Sequence, residues 1–151
     1  MIRARMAERD ELVGGGSIAH GSYSRRMKVY LAGPPYAEEY RRRAGALVDQ
    51  IGWEAVDPMR RDYRGRTEGK EAEIVTSDLA EIESCDAVLA AFASPDEGTA
   101  MEAWYAHTIG KPVIAYTGGT PPHPWTVYVA EAVYDQLEDA VQALATSGNP
   151  R

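Results

Sequence analysis

"DAVLAAFASPDEGTAMEAWYAHTIGKPVIAYT" runs from Asp86 to Thr117 and decides how the chain folds. Its first eight residues, 86–93, are almost continuously apolar. A run of that length suits a strand buried on both faces, as in a parallel sheet. Ser94-Pro95-Asp96-Glu97-Gly98 is turn chemistry, and the helical stretch after it closes at Gly110. "PVIAYT" (112–117) is a second short apolar strand. Strand, helix and strand at this spacing make a βαβ unit, which requires a parallel neighbour.

The alternation continues outward. Upstream, "MKVYLA" (27–32) is a strand bounded by Gly33-Pro34-Pro35. Tyr40, Ala44, Leu47, Val48 and Ile51 then mark one helical face ending at Gly52. "WEAVDP" (53–58) reads as a strand stopped by proline, followed by a basic loop at 59–69 and a helix to about Ser84. That helix has Ile74, Val75, Leu79 and Ile82 as its apolar face. Downstream come a Gly/Pro-rich loop at 118–124, a short helix, a brief strand near Val133 and the helix "QLEDAVQAL". The expectation is an α/β fold, a parallel sheet covered by helices on both faces, over residues 27–147. Residues 1–26 are polar and contain "GGGS"; they read as a flexible tail or as an arm docking on a neighbouring subunit. Ligands of such sheets sit beyond the C-terminal strand ends, which selects the loops after Ala32, Asp57, Ala93 and Thr117.

Composition narrows the function. With 44% hydrophobic and 26% charged residues, the 151-residue chain is globular in character. Acids outnumber bases 23 to 16, for a net charge of -7, which argues against a general nucleic-acid binder. One cysteine, Cys85, excludes an intrachain disulfide, and three scattered histidines give no metal-ligand spacing. No metal or cofactor is expected. No apolar run approaches the roughly 20 residues of a bilayer span, and no secretory h-region is present. A cytoplasmic location without membrane attachment is expected.

Several residues stand out. Thr99-Ala100-Met101-Glu102 fits a capping box, with Glu102 reaching back to the cap. Glu102 also sits at the C-terminal end of a central strand, in what reads as a first helical turn that favours the anion. A positioned carboxylate there suits nucleophilic attack at a sugar carbon. Asp78 lies on the apolar face of its helix between Val75 and Ile82, so it needs a partner or an altered protonation state. A salt bridge to the basic loop is the plainer alternative. Asp96 is either a solvated turn residue or part of a site, whereas Glu97 reads as solvated. Tyr30 lies near the end of its strand, within reach of the same place. Arg60, Arg61, Arg64 and Arg66 are a solvated run, or supply one arginine to a phosphate or a base carbonyl. Gly33-Pro34-Pro35 permits close backbone approach but is neither a Walker loop nor GxGxxG. Trp53, Trp104 and Trp125 read as core or interface, and His107 and Cys85 have no triad partners.

Four motifs in order resemble the nucleoside 2-deoxyribosyltransferases: "VYLAGP" (29–34), "DPMRRDYRGR" (57–66), "SDLAEIESCDAVLA" (77–90) and "PDEGTAMEAWYAHTIGKPVIAY" (95–116). They cover most of residues 27–140. The resemblance implies a flavodoxin-like, Rossmann-like three-layer sandwich with a mostly parallel sheet of about five strands. It implies Glu102 as nucleophile, Asp78 and Asp96 handling the base and its proton, and Tyr30 orienting Glu102. Gly33, Pro34, Asp57, Arg64 and Gly98 are the expected substrate contacts. The implied partners are a 2′-deoxynucleoside and a free nucleobase, in a homo-oligomer whose sites are completed by a neighbour. The chain departs from the family in one place. "HPWTVYVAEA" has no asparagine near Val127 and Tyr128, where the family often supplies one to the sugar 5′-hydroxyl. "GPPYAEEY" also lacks the glycine and serine richness of the related nucleotide N-hydrolases, which favours transfer. The rival expectations are a hydrolase releasing base from a deoxynucleoside 5′-monophosphate and a non-catalytic nucleotide sensor of the same fold.

Overall fold

The computed structural model describes residues 25–147. Five strands, β1 (Lys28–Ala32), β2 (Glu54–Val56), β3 (Ala87–Ala91), β4 (Val113–Tyr116) and β5 (Ala132–Tyr134), form one sheet in the order β2-β1-β3-β4-β5. Every pairing is parallel, so the sheet expected to be mostly parallel is parallel throughout. Helices α1 (Glu38–Gln50), α2 (Glu71–Ser84), α3 (Glu97–Thr108), α4 (Pro124–Val129) and α5 (Leu137–Ser147) cover both faces. This is the α/β, flavodoxin-like three-layer sandwich that the sequence implied.

Alternation along the strands builds two cores. Val29, Leu31, Leu89 and Ile114 pack with Tyr40, Ala44 and Val48 of α1 and with Leu137, Val141 and Leu144 of α5. Tyr30, Ala32, Val88 and Ala90 point the other way and pack with Ile82 of α2, Ala103 and Ala106 of α3, and Val129 of α4. Tyr30 therefore shares a face of the sheet with the helices that carry Asp78 and Glu102. Gly52 and Gly110, with φ of +80° and +77°, turn the chain after α1 and α3 as the sequence indicated.

The apolar face assigned to α2 needs correction. Ile82 is fully buried and Ile74 and Leu79 are half-buried, but Val75 is 53% exposed. The C-terminal end of α2 packs into the core, whereas Ile74, nearer its start, lines a cavity instead. Of the expected tail, Arg25 and Arg26 lie within the described residues and are tied to the domain. Arg25 pairs with Asp86 at 2.6 Å and Arg26 with Asp49 at 2.9 Å. The rest of that segment, 1–24, lies outside the described residues.

Candidate active site

A cavity of about 380 Å³ opens beyond the C-terminal ends of β1 and β3. Gly33 and Arg41 form one side, the 58–67 loop and Ile74 another, and Asp78, Asp96, Gly98 and Glu102 the rest. The topology explains the place: β1 and β3 are neighbours, and their outgoing connections go to opposite faces of the sheet, leaving a crevice between.

Helix α3 brings two of the acids. Its N-cap is Asp96, held in an extended conformation (φ -151°, ψ 123°). Asp96 Oδ2 accepts from the Thr99 amide at 2.9 Å and from the Thr99 hydroxyl at 2.6 Å. The capping box expected at Thr99-Glu102 is thereby displaced by three residues, because the helix starts at Glu97 and not after Thr99. Glu102 falls in the second turn and makes no cap.

Released from capping, Glu102 turns into the protein. Its Oε2, the Tyr30 hydroxyl and Arg41 Nε are the buried side-chain polar atoms without a hydrogen-bond partner among the described residues. Unpartnered buried groups are rare in folded proteins and call for an explanation. Two of these belong to residues that line the cavity, Arg41 and Glu102, and the third to Tyr30, close by on β1. Tyr30 is near enough to favour the Glu102 anion, yet no well-formed hydrogen bond joins them. The anion expected for Glu102 is also corrected. Burial, reinforced by the Asp78 charge, pushes its carboxyl up to about 8, outweighing Tyr30 and Arg41, which act the other way. The Tyr30 hydroxyl is raised far above its usual range, first by burial and then by the Glu102 charge.

Asp78 has the partner its position demanded. Arg61 of the basic loop reaches it at 3.1 Å and Glu81 at 2.7 Å. Burial still raises the Asp78 carboxyl against the pull of Arg61. Glu81 is also gripped by Arg60. Arg64 borders the cavity with its donors engaged: it pairs with Asp62 at 2.7 Å and with Glu38 at 2.7 Å, and lies over the Tyr36 ring. Arg66 donates to the Asp62 carbonyl. Gly33 and Gly98 line the cavity; Pro34 and Asp57, expected as contacts, are not part of its lining, and Asp57 lines a smaller cavity beside it. Asp57 caps the 3-10 turn Pro58–Arg60 through the Met59 amide at 2.9 Å. Glu97 is exposed at the rim, as its solvated reading implied.

Sequence reasoning missed Arg41. Its side chain is 6% exposed and pairs with Asp57 at 2.8 Å. The signal was present: Arg41 shares a helical face with Ala44 and Val48, the same pattern that exposed Asp78.

Trp53 is core, while Trp104 and Trp125 lie at 5.5 Å from each other on the surface of α3 and α4. Cys85 is buried, and burial pushes its thiol up to about 11. No group of three or more histidine, cysteine, aspartate or glutamate side chains is placed for a metal among the described residues. No helix there is long and apolar enough to cross a membrane.

Comparison with known proteins bears on this crevice of acids. The family described as nucleoside 2-deoxyribosyltransferase matches residues 29–143. The chain belongs to that family. As a nucleoside 2-deoxyribosyltransferase family member, it is placed among enzymes that act on N-glycosyl bonds. Among solved structures, a Clostridium botulinum CMP N-glycosidase is similar in fold. The two share 20% identity over 79% of this chain and 98% of that one, with a TM-score of 0.52. No curated protein matches the chain.

Proposed function

We propose that this family member exchanges the base of a 2′-deoxynucleoside through a covalent intermediate on Glu102. The observation that carries the reading is the Glu102 carboxyl itself. It is buried, free of capping duty, unpartnered at Oε2 and faces the unpartnered Tyr30 hydroxyl. A carboxylate in the wall of a crevice that can admit a nucleoside is poised for attack on an electrophilic carbon.

In the first half-reaction a Glu102 oxygen forms a bond to C1′ as the N-glycosidic bond breaks. The electron pair of that bond leaves with the base, and Asp78 gives the base its proton. Asp78 suits this role better than Asp96: burial raises its carboxyl, whereas Asp96 Oδ2 holds the Thr99 amide and hydroxyl. In the second half-reaction a nitrogen of another base attacks C1′ from the opposite face. The ester to Glu102 breaks, the incoming base returns its proton to Asp78, and two inversions give net retention. Tyr30 steadies the Glu102 carboxylate before attack and again as the ester breaks. Gly33, Arg64 and Gly98 line the walls that receive the nucleoside, and Pro34 and Asp57 hold Arg41 on one side of them.

Charge supports an uncharged substrate. Each of the three arginines bordering the cavity is already opposed: Arg41 by Asp57, Arg61 by Asp78 and Glu81, Arg64 by Asp62 and Glu38. One observation favours a second reading. A smaller cavity of about 340 Å³, lined by Arg41, Arg42 and Arg64, adjoins the first and offers a place for a 5′-phosphate. That arrangement suits a hydrolase releasing base from a monophosphate.

The reading carries a homo-oligomer with it. Met101, Trp125 and Tyr128 on α3 and α4 are 72%, 65% and 70% exposed, an apolar surface of the kind a second copy covers.

The deciding experiment incubates wild type and Glu102→Ala with a 2′-deoxynucleoside and a second free base, and separates the products by chromatography. A parallel reaction holds a deoxynucleoside 5′-monophosphate alone. A new deoxynucleoside with wild type only is the expected result. Base released only from the monophosphate establishes the hydrolase, and no change in either reaction overturns both.

A further inference from the structure

Arg41 projects from the first turn of α1 between the two cores. Its Nη1 donates to the Leu31 carbonyl at 3.2 Å and to Asp57 Oδ1 at 2.8 Å. Its Nη2 donates to the Gly33 carbonyl at 2.5 Å and to the Pro34 carbonyl at 3.1 Å. One planar fork thus joins the end of β1, the turn that follows it and Asp57, the residue just after β2. Of the groups it holds, Gly33 lines the cavity, and Arg41 itself borders it.

We propose that Arg41 is the positioning residue of this site: its guanidinium sets the geometry of the Gly33-Pro34 and Asp57 walls and holds a fixed cation beside Glu102. The proposal rests on the role given to Glu102 above.

Two features separate this role from a simple staple of the fold. First, the number and direction of the bonds need a guanidinium. Lysine has three donors on one point and cannot reach three carbonyls and a carboxylate in one plane. Second, the groups acting on Glu102 come from four elements: Tyr30 from β1, Arg41 from α1, Asp78 from α2 and Asp96 at the cap of α3. Arg41 is the cation of that set, and it opposes the burial that raises the carboxyls of both Glu102 and Asp78. Charge and shape are therefore separable contributions of one side chain.

Three variants separate them: Arg41→Lys keeps the charge and loses the fork, Arg41→Met loses both, and Asp57→Asn removes the opposing carboxylate while an amide oxygen remains for the Met59 cap. The Glu102 carboxyl is titrated in each by carbon-13 NMR on glutamate-labelled protein, with thermal melts to establish folding. Base exchange then gives KM and kcat.

Glu102 is expected to titrate higher than wild type in Arg41→Met, lower in Asp57→Asn, and near wild type in Arg41→Lys. KM for the nucleoside is expected to rise about tenfold in Arg41→Lys, because the walls lose their registration. An unmoved Glu102 titration in folded Arg41→Met or in Asp57→Asn overturns the proposal, as does an unchanged KM in Arg41→Lys. Should Arg41→Met not fold, Asp57→Asn and Arg41→Lys carry the same test. Absence of exchange by wild type overturns the transferase reading, and the NMR titration still decides the role of Arg41.

Discussion

Asp96 and Thr99 form a closed cap at the start of α3, with one aspartate oxygen accepting both the amide and the hydroxyl of the threonine. The cap expected at Thr99 lies three residues earlier, at Asp96. The cap leaves Glu102 without a structural task in its own helix. Replacing Asp96 with alanine should lower stability by about 0.5–2 kcal/mol, as loss of a helix cap does, with asparagine recovering most of it. Urea unfolding of the two variants measures this, and Glu102→Ala in the same series should show no cap loss.

Glu102 makes stability depend on pH in a defined direction. Its carboxyl is held up to about 8 in the folded protein against an ordinary value of 4.5. The folded state thus keeps a proton that the unfolded state has released. The stability tied to that proton is full below about pH 4.5 and is lost as pH rises through about 8. Glu102→Gln should therefore match wild type near about pH 4 and melt at a higher temperature near about pH 9. Calorimetry across that range checks it. Parallel melting curves at every pH would mean that Glu102 ionises as freely as an exposed glutamate.

The same carboxyl should shape the kinetics. Attack needs Glu102 ionised and Asp78 protonated, so kcat/KM for base exchange should be bell-shaped in the free enzyme, with one of its two limbs near about 8. Asp78→Asn removes both the acid and the charge that raises Glu102, so the variant should keep only a rise with pH, centred below about 8. The measurement is kcat/KM against pH for both proteins.

As proton donor, Asp78 should matter in proportion to how badly the leaving base needs a proton. Asp78→Asn should slow exchange of an ordinary nucleobase by about 10²- to 10⁴-fold, the usual range for a general acid. A 2-deoxyribosyl compound whose leaving group departs as a stable anion should react with Asp78→Asn nearly as fast as with wild type. Equal losses on both substrates would remove Asp78 from the proton transfer.

Gly33 faces the Tyr40 ring closely enough to exclude any side chain. A Cβ there would lie 2.9 Å and 3.1 Å from two ring carbons. Tyr40 has little room to move: its hydroxyl donates to the Leu89 carbonyl at 3.0 Å, and its ring stacks on Tyr116 with centroids 6.1 Å apart. Gly33→Ala should cost about 1–3 kcal/mol and raise the KM of the nucleoside, because the displaced loop is the cavity wall. Chemical denaturation and steady-state kinetics on one preparation test both parts.

The fold was legible because the stretches 29–32, 87–91 and 113–116 are apolar without interruption, and the intervening glycines and prolines mark the turns. Asp78 was legible because a charge on an apolar helix face breaks the pattern. Arg41 breaks it in the same way, but arginines usually keep their charge in water, and the adjoining Arg42 and Arg43 gave the segment the look of a solvated run. The extra carbonyls and Asp57 that hold Arg41 come from the ends of two strands, a convergence that no local window contains. Thr99 was misread because Asp-x-x-Thr and Thr-x-x-Glu are both acceptable caps, and only the end of the preceding extended segment separates them. The protonation of Glu102 depends on how deeply α3 seats against β1, which residue spacing does not record.

Helix α5 packs Leu137, Ala140, Val141 and Leu144 into the core on the far side of the sheet, and it contributes no residue to the cavity beyond β1 and β3. For protein engineering this amounts to a division of labour. Repacking α5 against β4 and β5 can raise the melting temperature while the walls around Glu102 stay as they are. Substitutions in α1, α2 or α3 act on durability and turnover together, so a search for hardier variants belongs in residues 137–147.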